Sequence, residues 1–371
     1  MPTTVLDKQR EAMESHGMDA MLVISPENVA WTSGILVPSQ KIVQHRHAIV
    51  IVPKDQDPEM IVVTVEEQLA REKASIQNVT AYNEFTQVPI LMAAERLREL
   101  GYATGNIGLE VSYLNQEDYR KLTEALPDAR IEPIDKLLKK LRIVKTREEI
   151  EKLTFAAQLA ERVDRASLST WWPGMTEADL YRTIVDNFIS GGGDKLTMPS
   201  VTSGERTPML NGGPTEREIK WGDVVRIDCI GLVNDYTCDV ARTAVVGEPT
   251  AEQKELWQKL VDCRNTALGR IKPGVSSHSI FKEYIDQMNT WELPTLNFLG
   301  HGLGLTLHEE PYLNPYADTA LEKDMVLAIE PLVTFPELGM QLEEAVLVTD
   351  SGYELITNQF DTSHLWQMRE A

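Results

Sequence analysis

Short β-branched runs alternate with helical spacing through the first third of the chain. Residues 20–25 (AMLVIS), 48–52 (AIVIV) and 60–64 (MIVVT) have the length and composition of strands. Residues 7–16, 65–75 and 91–100 have helical spacing, and further strand runs fall at 106–110 and 131–133. This alternation predicts an α/β layer with a mostly open sheet. The pattern changes at 137–145 (LLKKLRIVK). Thr146 then precedes Glu149 by the capping-box interval and opens a long amphipathic helix from Arg147 to about Leu168. Helices are expected after Thr176, after Thr250 and near 279–290, with an irregular glycine- and proline-rich passage at 191–214. Strands dominate from Val224 onward. The expected architecture is therefore an α/β N-terminal domain, residues 1–142, followed by an α+β domain, residues 143–371.

Composition narrows the class of protein. The 371 residues carry a formal net charge of −21. That charge excludes the basic footprint a nucleic-acid partner requires and disfavours an anionic membrane surface. Three cysteines, Cys229, Cys238 and Cys263, are too few for a disulfide scaffold and fit a reducing compartment. The N-terminus is polar, and no apolar run approaches the ~18 residues of a membrane span. A cytoplasmic protein is expected.

The most informative segment is 222–243, GDVVRIDCIGLVNDYTCDVART. A two-residue turn at Val233–Asn234 would set Asp228 directly across from Asp239, with Cβ atoms ~4.5–5.5 Å apart. Facing carboxylates inside apolar runs repel unless a cation lies between them, and a divalent ion suits hard oxygen ligands. The same register sets Cys229 against Cys238 on the other face, where they read as small buried hydrophobes. Further along, 300–311 (GHGLGLTLHEEP) holds His301 and His308 in a glycine-rich stretch without HExxH spacing. Glu330 ends the apolar run 325–331, and Glu343 and Glu344 begin another. On a strand those two glutamates face opposite sides, and periodicity alone does not choose between them.

These texts in this order, VVRIDCIG, CDVART, HGLGLTLHEEP, AIEP and LEEAVLVT, resemble the pita-bread metallopeptidases. RIVKTREEIEKL at the predicted boundary, with the α/β domain before it, is similar to the branch containing prolidase, aminopeptidase P and creatinase. The resemblance implies a creatinase-like N-terminal domain and a pita-bread catalytic domain. It implies that Asp228, Asp239, His301, Glu330 and Glu343 bind two divalent ions, manganese, cobalt, iron or zinc, with Asp239 and Glu343 bridging. It further implies that the two ions share and activate a water, that Glu330 shuttles its proton, and that His308 contacts substrate and steadies the oxyanion. A Xaa-Pro peptidase, of dipeptidase or aminopeptidase type and homodimeric, is the expected activity.

Three positions depart from the peptidase pattern. Asn211 stands where the family places a histidine eight residues after the serine of Ser203–Gly204. Gln341 replaces an arginine two residues before the last glutamate, and Glu330-Pro331-Leu332-Val333-Thr334 replaces EPGIY. All three surround the substrate in the family, so Asn211 and Gln341 are candidate substrate contacts. The departures keep open a hydrolase of a small non-peptide amide, like ectoine hydrolase, and a silent binding protein on the same fold. They disfavour a creatinase, which relies on the histidine that is Asn211 here. His45 and His47 could border a partner's site in a dimer, but an exposed polar strand edge is the simpler expectation.

Overall fold

The computed structural model describes residues 3–43, 45–198 and 200–371, which fall into two compact units, Met1–Arg142 and Ile143–Ala371. The first is built on strands β1 (Ala20–Val23), β2 (Ile49–Pro53), β3 (Glu59–Val63), β4 (Asn78–Tyr82), β5 (Asn106–Leu109) and β6 (Arg130–Pro133). They form one mixed sheet in the order β4-β3-β2-β1-β5-β6. Helices α1 (Val5–His16), α2 (Pro26–Ser33), α3 (Pro38–Ile42), α4 (Glu67–Lys73), α5 (Pro89–Glu99), α6 (Gln116–Ala125) and α7 (Asp135–Ile143) accompany it. The apolar runs read as strands are buried, with Leu22, Ile51, Ile61 and Ile107 in one core. His45 is exposed, but His47 is not. His47 lies buried 3.6 Å from Asp118 and edge-on to Tyr113, and burial lowers its pKa. An exposed edge therefore describes only the first of the pair.

The second unit carries helices α8 (Arg147–Ser167), α9 (Glu177–Ser190), α10 (Ala251–Arg270) and α11 (Ser277–Thr290). Its strands are β7 (Thr170–Trp171), β8 (Lys195–Leu196), β9 (Ser200–Ser203), β10 (Val224–Asp228), β11 (Gly231–Val233), β12 (Tyr236–Cys238), β13 (Ala241–Val246) and β14 (Gly300–Gly302). They continue with β15 (Glu309–Leu313), β16 (Val326–Ile329), β17 (Leu332–Phe335), β18 (Leu338–Gln341), β19 (Glu344–Val348), β20 (Tyr353–Leu355) and β21 (Trp366–Glu370). Thr146, Thr176 and Thr250 each accept the N3 amide and close a capping box. Helices α8 and α9 share a core with the sheet β7-β21-β13-β10-β9. Helices α10 and α11 share a second core with the sheet β15-β14-β16-β19-β20. The amide of Glu343 donates to the carbonyl of Ala241 at 3.2 Å, joining the two sheets where the candidate ligands converge.

The carboxylate hairpin differs in register from the sequence expectation. Asn234 and Asp235 have φ of 50° and 69°, the positive pair a type I′ turn needs. The turn therefore lies one residue later than Val233–Asn234. Val233 faces Tyr236, and Asp228 faces Ala241 instead of Asp239. A one-residue move of the turn shifts the pairing by two, which preserves facing, so the two aspartates still meet on one side. Cys229 and Cys238 stay buried, with the Cys238 thiol 3.7 Å from the Cys229 carbonyl. Contact with Cys238, then burial, holds the Cys229 thiol well above its ordinary pKa.

Asp164, on α8, has no exposed surface, and among the described residues neither carboxylate oxygen has a hydrogen-bond partner. Burial raises its pKa well above 3.8, more than nearby Arg242 lowers it. An acid raised in the fold contributes stability that is present below the unfolded pKa and lost as pH rises through the folded one. Asp164→Asn is expected to stabilise the protein by on the order of 1 kcal/mol near neutral pH. The gain over wild type should widen upward from about pH 4 and vanish below it. Urea denaturation across a pH series measures it.

Candidate metal centre

Each candidate ligand sits in a strand or directly beside one. Asp228 closes β10, Asp239 follows β12, His301 lies in β14, Glu330 follows β16 and Glu343 precedes β19. The alternation at residues 343–344 is resolved by contacts. Glu344 turns to Arg242 at 3.1 Å and Arg264 at 2.6 Å, and accepts from Thr357 and Thr362. Glu343 turns the other way. Its carboxylate groups with Asp228 and Asp239, and again with His301 and Glu330, the donor atoms of each group lying within 4.8 Å of one another.

The cluster is strongly anionic and buried. Asp239, His301, Glu330 and Glu343 are all under one-tenth exposed, and Asp228 is partly buried. Burial raises Asp228 to about 6, and burial with the neighbouring carboxylates drives Asp239 and Glu343 well above their ordinary range. For His301 burial disfavours the charged form, but Glu330 and Glu343 outweigh it and the pKa rises. His301 Nδ1 lies 2.9 Å from the Gly302 carbonyl, to which it can only donate, so in the neutral ring it is Nε2 that holds the lone pair. That Nε2 stands 3.3 Å from Asp239 and 3.5 Å from Glu330. Among the described residues it has no hydrogen-bond partner, and Asp228 Oδ1 and both oxygens of Glu343 have none either. Buried lone pairs converging without donors suit a divalent cation, and the mixed oxygen and imidazole set suits manganese, cobalt, iron or zinc.

His308 stacks on His301 with ring centroids 3.9 Å apart, and Phe298 stacks on both. A nitrogen of His308 lies close enough to Asp239 and His301 to form a third possible donor group. The stacking argues against that role, because two rings in separate, nearly parallel planes do not converge their nitrogen lone pairs. His308 is exposed at one side, but the protein packed around it and the His301 ring lower its pKa to about 4, leaving it neutral at neutral pH. Its loop is clamped by Glu309, which accepts from the amides of Leu305 at 3.1 Å and Thr306 at 3.3 Å. A side chain at Gly304 would meet that carboxylate at 2.4 Å, so the tight loop needs glycine there.

Of the candidate substrate contacts, Gln341 is buried and donates to Glu330 Oε2 at 3.0 Å. Asn211 is exposed in the stretch after β9, and Thr334 is half-buried in β17. Arg226, Phe298 and Glu309 were not singled out from the sequence. Arg226 did leave a signal, a cation inside an apolar strand on the same face as Asp228. Phe298 left none.

Residues 6–144 match the creatinase/prolidase N-terminal domain, and residues 151–350 match metallopeptidase family M24. A Xaa-Pro dipeptidase of Pyrococcus furiosus is 28% identical over 361 residues, covering 95% of this chain and 97% of the relative. The crystal structure of an X-Pro aminopeptidase from Thermotoga maritima is similar in fold, with a TM-score of 0.84, 24% identity and coverage of 98% and 99% of the two chains. The prolidase structure from Pyrococcus furiosus has a TM-score of 0.79 at 26% identity, covering 95% and 99%. The chain, with its creatinase/prolidase N-terminal domain and pita-bread catalytic domain, belongs to metallopeptidase family M24.

Proposed function

We propose that this protein is a metal-dependent Xaa-Pro peptidase using two divalent ions. The observation that carries the reading is the buried carboxylate cluster whose lone pairs converge without donors. The Xaa-Pro dipeptidase and aminopeptidase names of its relatives supply the substrate class. Asp228 would serve one ion, His301 and Glu330 the other, and Asp239 and Glu343 would serve both. When bound, the ions supply an activated water and polarise the scissile carbonyl. Glu330 would take the water's proton on its carboxylate and return it to the leaving amine. His308, neutral and stacked in place, would donate an N–H to the developing oxyanion. The same reading carries the cytoplasmic location and homodimer expected above.

The test is protein purified without chelator, its metal content measured, then assayed on Xaa-Pro dipeptides and longer Xaa-Pro-Yaa peptides. Cleavage before proline, lost on chelation and restored by manganese or cobalt, is expected. A preparation that takes up no divalent metal and gains nothing from added manganese sinks the reading. Metal-loaded protein that turns over none of these peptides points instead to a small non-peptide amide. His308→Ala is expected to lower kcat about a hundredfold while leaving metal content unchanged. Elemental analysis alongside single-turnover kinetics separates that result from loss of a ligand.

A further inference from the structure

Arg226 has no exposed surface, yet Asp228 Oδ2, 4.0 Å away, is too far to be a hydrogen-bonded partner. Its guanidinium is spent elsewhere. Nη2 donates to Ser200 Oγ at 2.9 Å, to the Met209 carbonyl at 2.9 Å and to the Leu210 carbonyl. Nη1 donates to Gln341 Oε1 at 2.7 Å, and the other end of that amide, Nε2, donates to Glu330 Oε2 at 3.0 Å. The amide has one workable orientation. Flipped, its NH₂ would face a guanidinium and its oxygen would face a carboxylate. The Gln341 backbone is pinned as well, its amide donating to Thr243 Oγ1 at 3.0 Å and its carbonyl accepting from that hydroxyl at 2.8 Å. Glu330 therefore meets an N–H donor backed by a buried cation, while Glu330 Oε1 is left facing His301 Nε2 at 3.5 Å.

We propose that Arg226 is a positioning residue for Glu330, acting through the side-chain amide of Gln341. The inference rests on the metallohydrolase reading for what Glu330 does. Its physical basis is independent of that reading. A carboxylate in a crowded anionic cluster is driven to swing away from its neighbours, and a charge-backed donor opposes that movement. Outer partners of this kind orient a ligand.

Manganese titration calorimetry on metal-stripped protein, with steady-state kinetics alongside, tests the relay. Gln341→Met keeps the hydrogen bonds of Arg226 to Ser200 and Met209 but severs the link to Glu330. It is expected to weaken manganese binding about 10-fold or more and to lower kcat with little change in KM. Arg226→Met should do the same, and the double variant should be no worse than either single. Arg226→Lys covers the case in which Arg226→Met does not fold. One ammonium cannot serve Gln341, Ser200 and Met209 together, so manganese binding should weaken, but not further when Gln341 is already Met. Unchanged affinity and kcat in Gln341→Met overturn the relay. Additive losses in the double variants overturn the claim that Arg226 acts through Gln341. Wild-type protein that binds no manganese overturns the metal reading and this inference together, which sets that failure apart from the other two.

Discussion

Glu343→Gln is expected to bind neither metal tightly and to lose hydrolysis by on the order of a thousandfold or more, beyond the roughly 10–100-fold cost of losing a residue that only supports a ligand. Glu343 belongs to both ligand groups, so one substitution removes an anionic donor from each. The amide is nearly isosteric, and both Glu343 oxygens lack hydrogen-bond partners among the described residues, so no bond to those residues is broken. In chelator the variant should melt no lower than wild type, because a carboxylate crowded against Asp228, Asp239 and Glu330 has been neutralised. Added manganese should raise the melting temperature of wild type but not of the variant, since only a ligand bound by the native state stabilises it. Glu344→Gln, one residue on, is expected to behave in the opposite way. It keeps the metal donors and weakens the contacts with Arg242 and Arg264, so it should retain metal and lose stability. A Glu343→Gln variant that still binds manganese with wild-type affinity would sink the shared-ligand assignment.

The contrast between Glu343 and Glu344 shows where sequence reading stops. Strand alternation says that the two face opposite ways, but nothing local says which way is inward. The answer depends on Arg242 and Arg264, about 80 to 100 residues earlier in the chain. The hairpin failed for a different reason. Asn234 and Asp235 are the pair that tolerates positive φ, a turn-chemistry signal available in the sequence but outweighed by the symmetry of placing two aspartates face to face. The long helices were legible because Thr146, Thr176 and Thr250 announce them with caps. Helices α2, α3 and α6 were not. They are short or polar, and their caps at Ser25 and Asn115 precede no strong apolar stripe. Arg226 was visible as an anomaly without a partner, because Gln341 lies 115 positions away and their meeting is a property of the fold.

Arg242→Met is expected to destabilise the protein by about 3–5 kcal/mol, the cost of removing one partner from a buried ion pair. Arg242 has no exposed surface and lies between two acids that are also buried, Glu161 at 3.3 Å and Glu344 at 3.1 Å. Its guanidinium also donates to the carbonyls of Ala241 and Glu343 and lies over the Phe360 ring. Methionine restores the volume but none of these bonds. Glu344 would keep Arg264, but Glu161 would be left with only the amides of Gln359 and Phe360 against a burial penalty that already raises its pKa. Most of the loss should therefore come from the stranded Glu161 charge, and Glu161→Gln in the Arg242→Met background should recover part of it. Urea unfolding followed by tryptophan fluorescence reads the relevant unit, since all of the 7 tryptophans except Trp31 lie in it. A double variant less stable than Arg242→Met alone would place the loss in packing instead of charge. The consequence for function follows from one of the lost bonds. The Glu343 carbonyl is held by Arg242, so even a folded Arg242→Met protein should bind manganese more weakly, although Arg242 donates no atom to either ligand group.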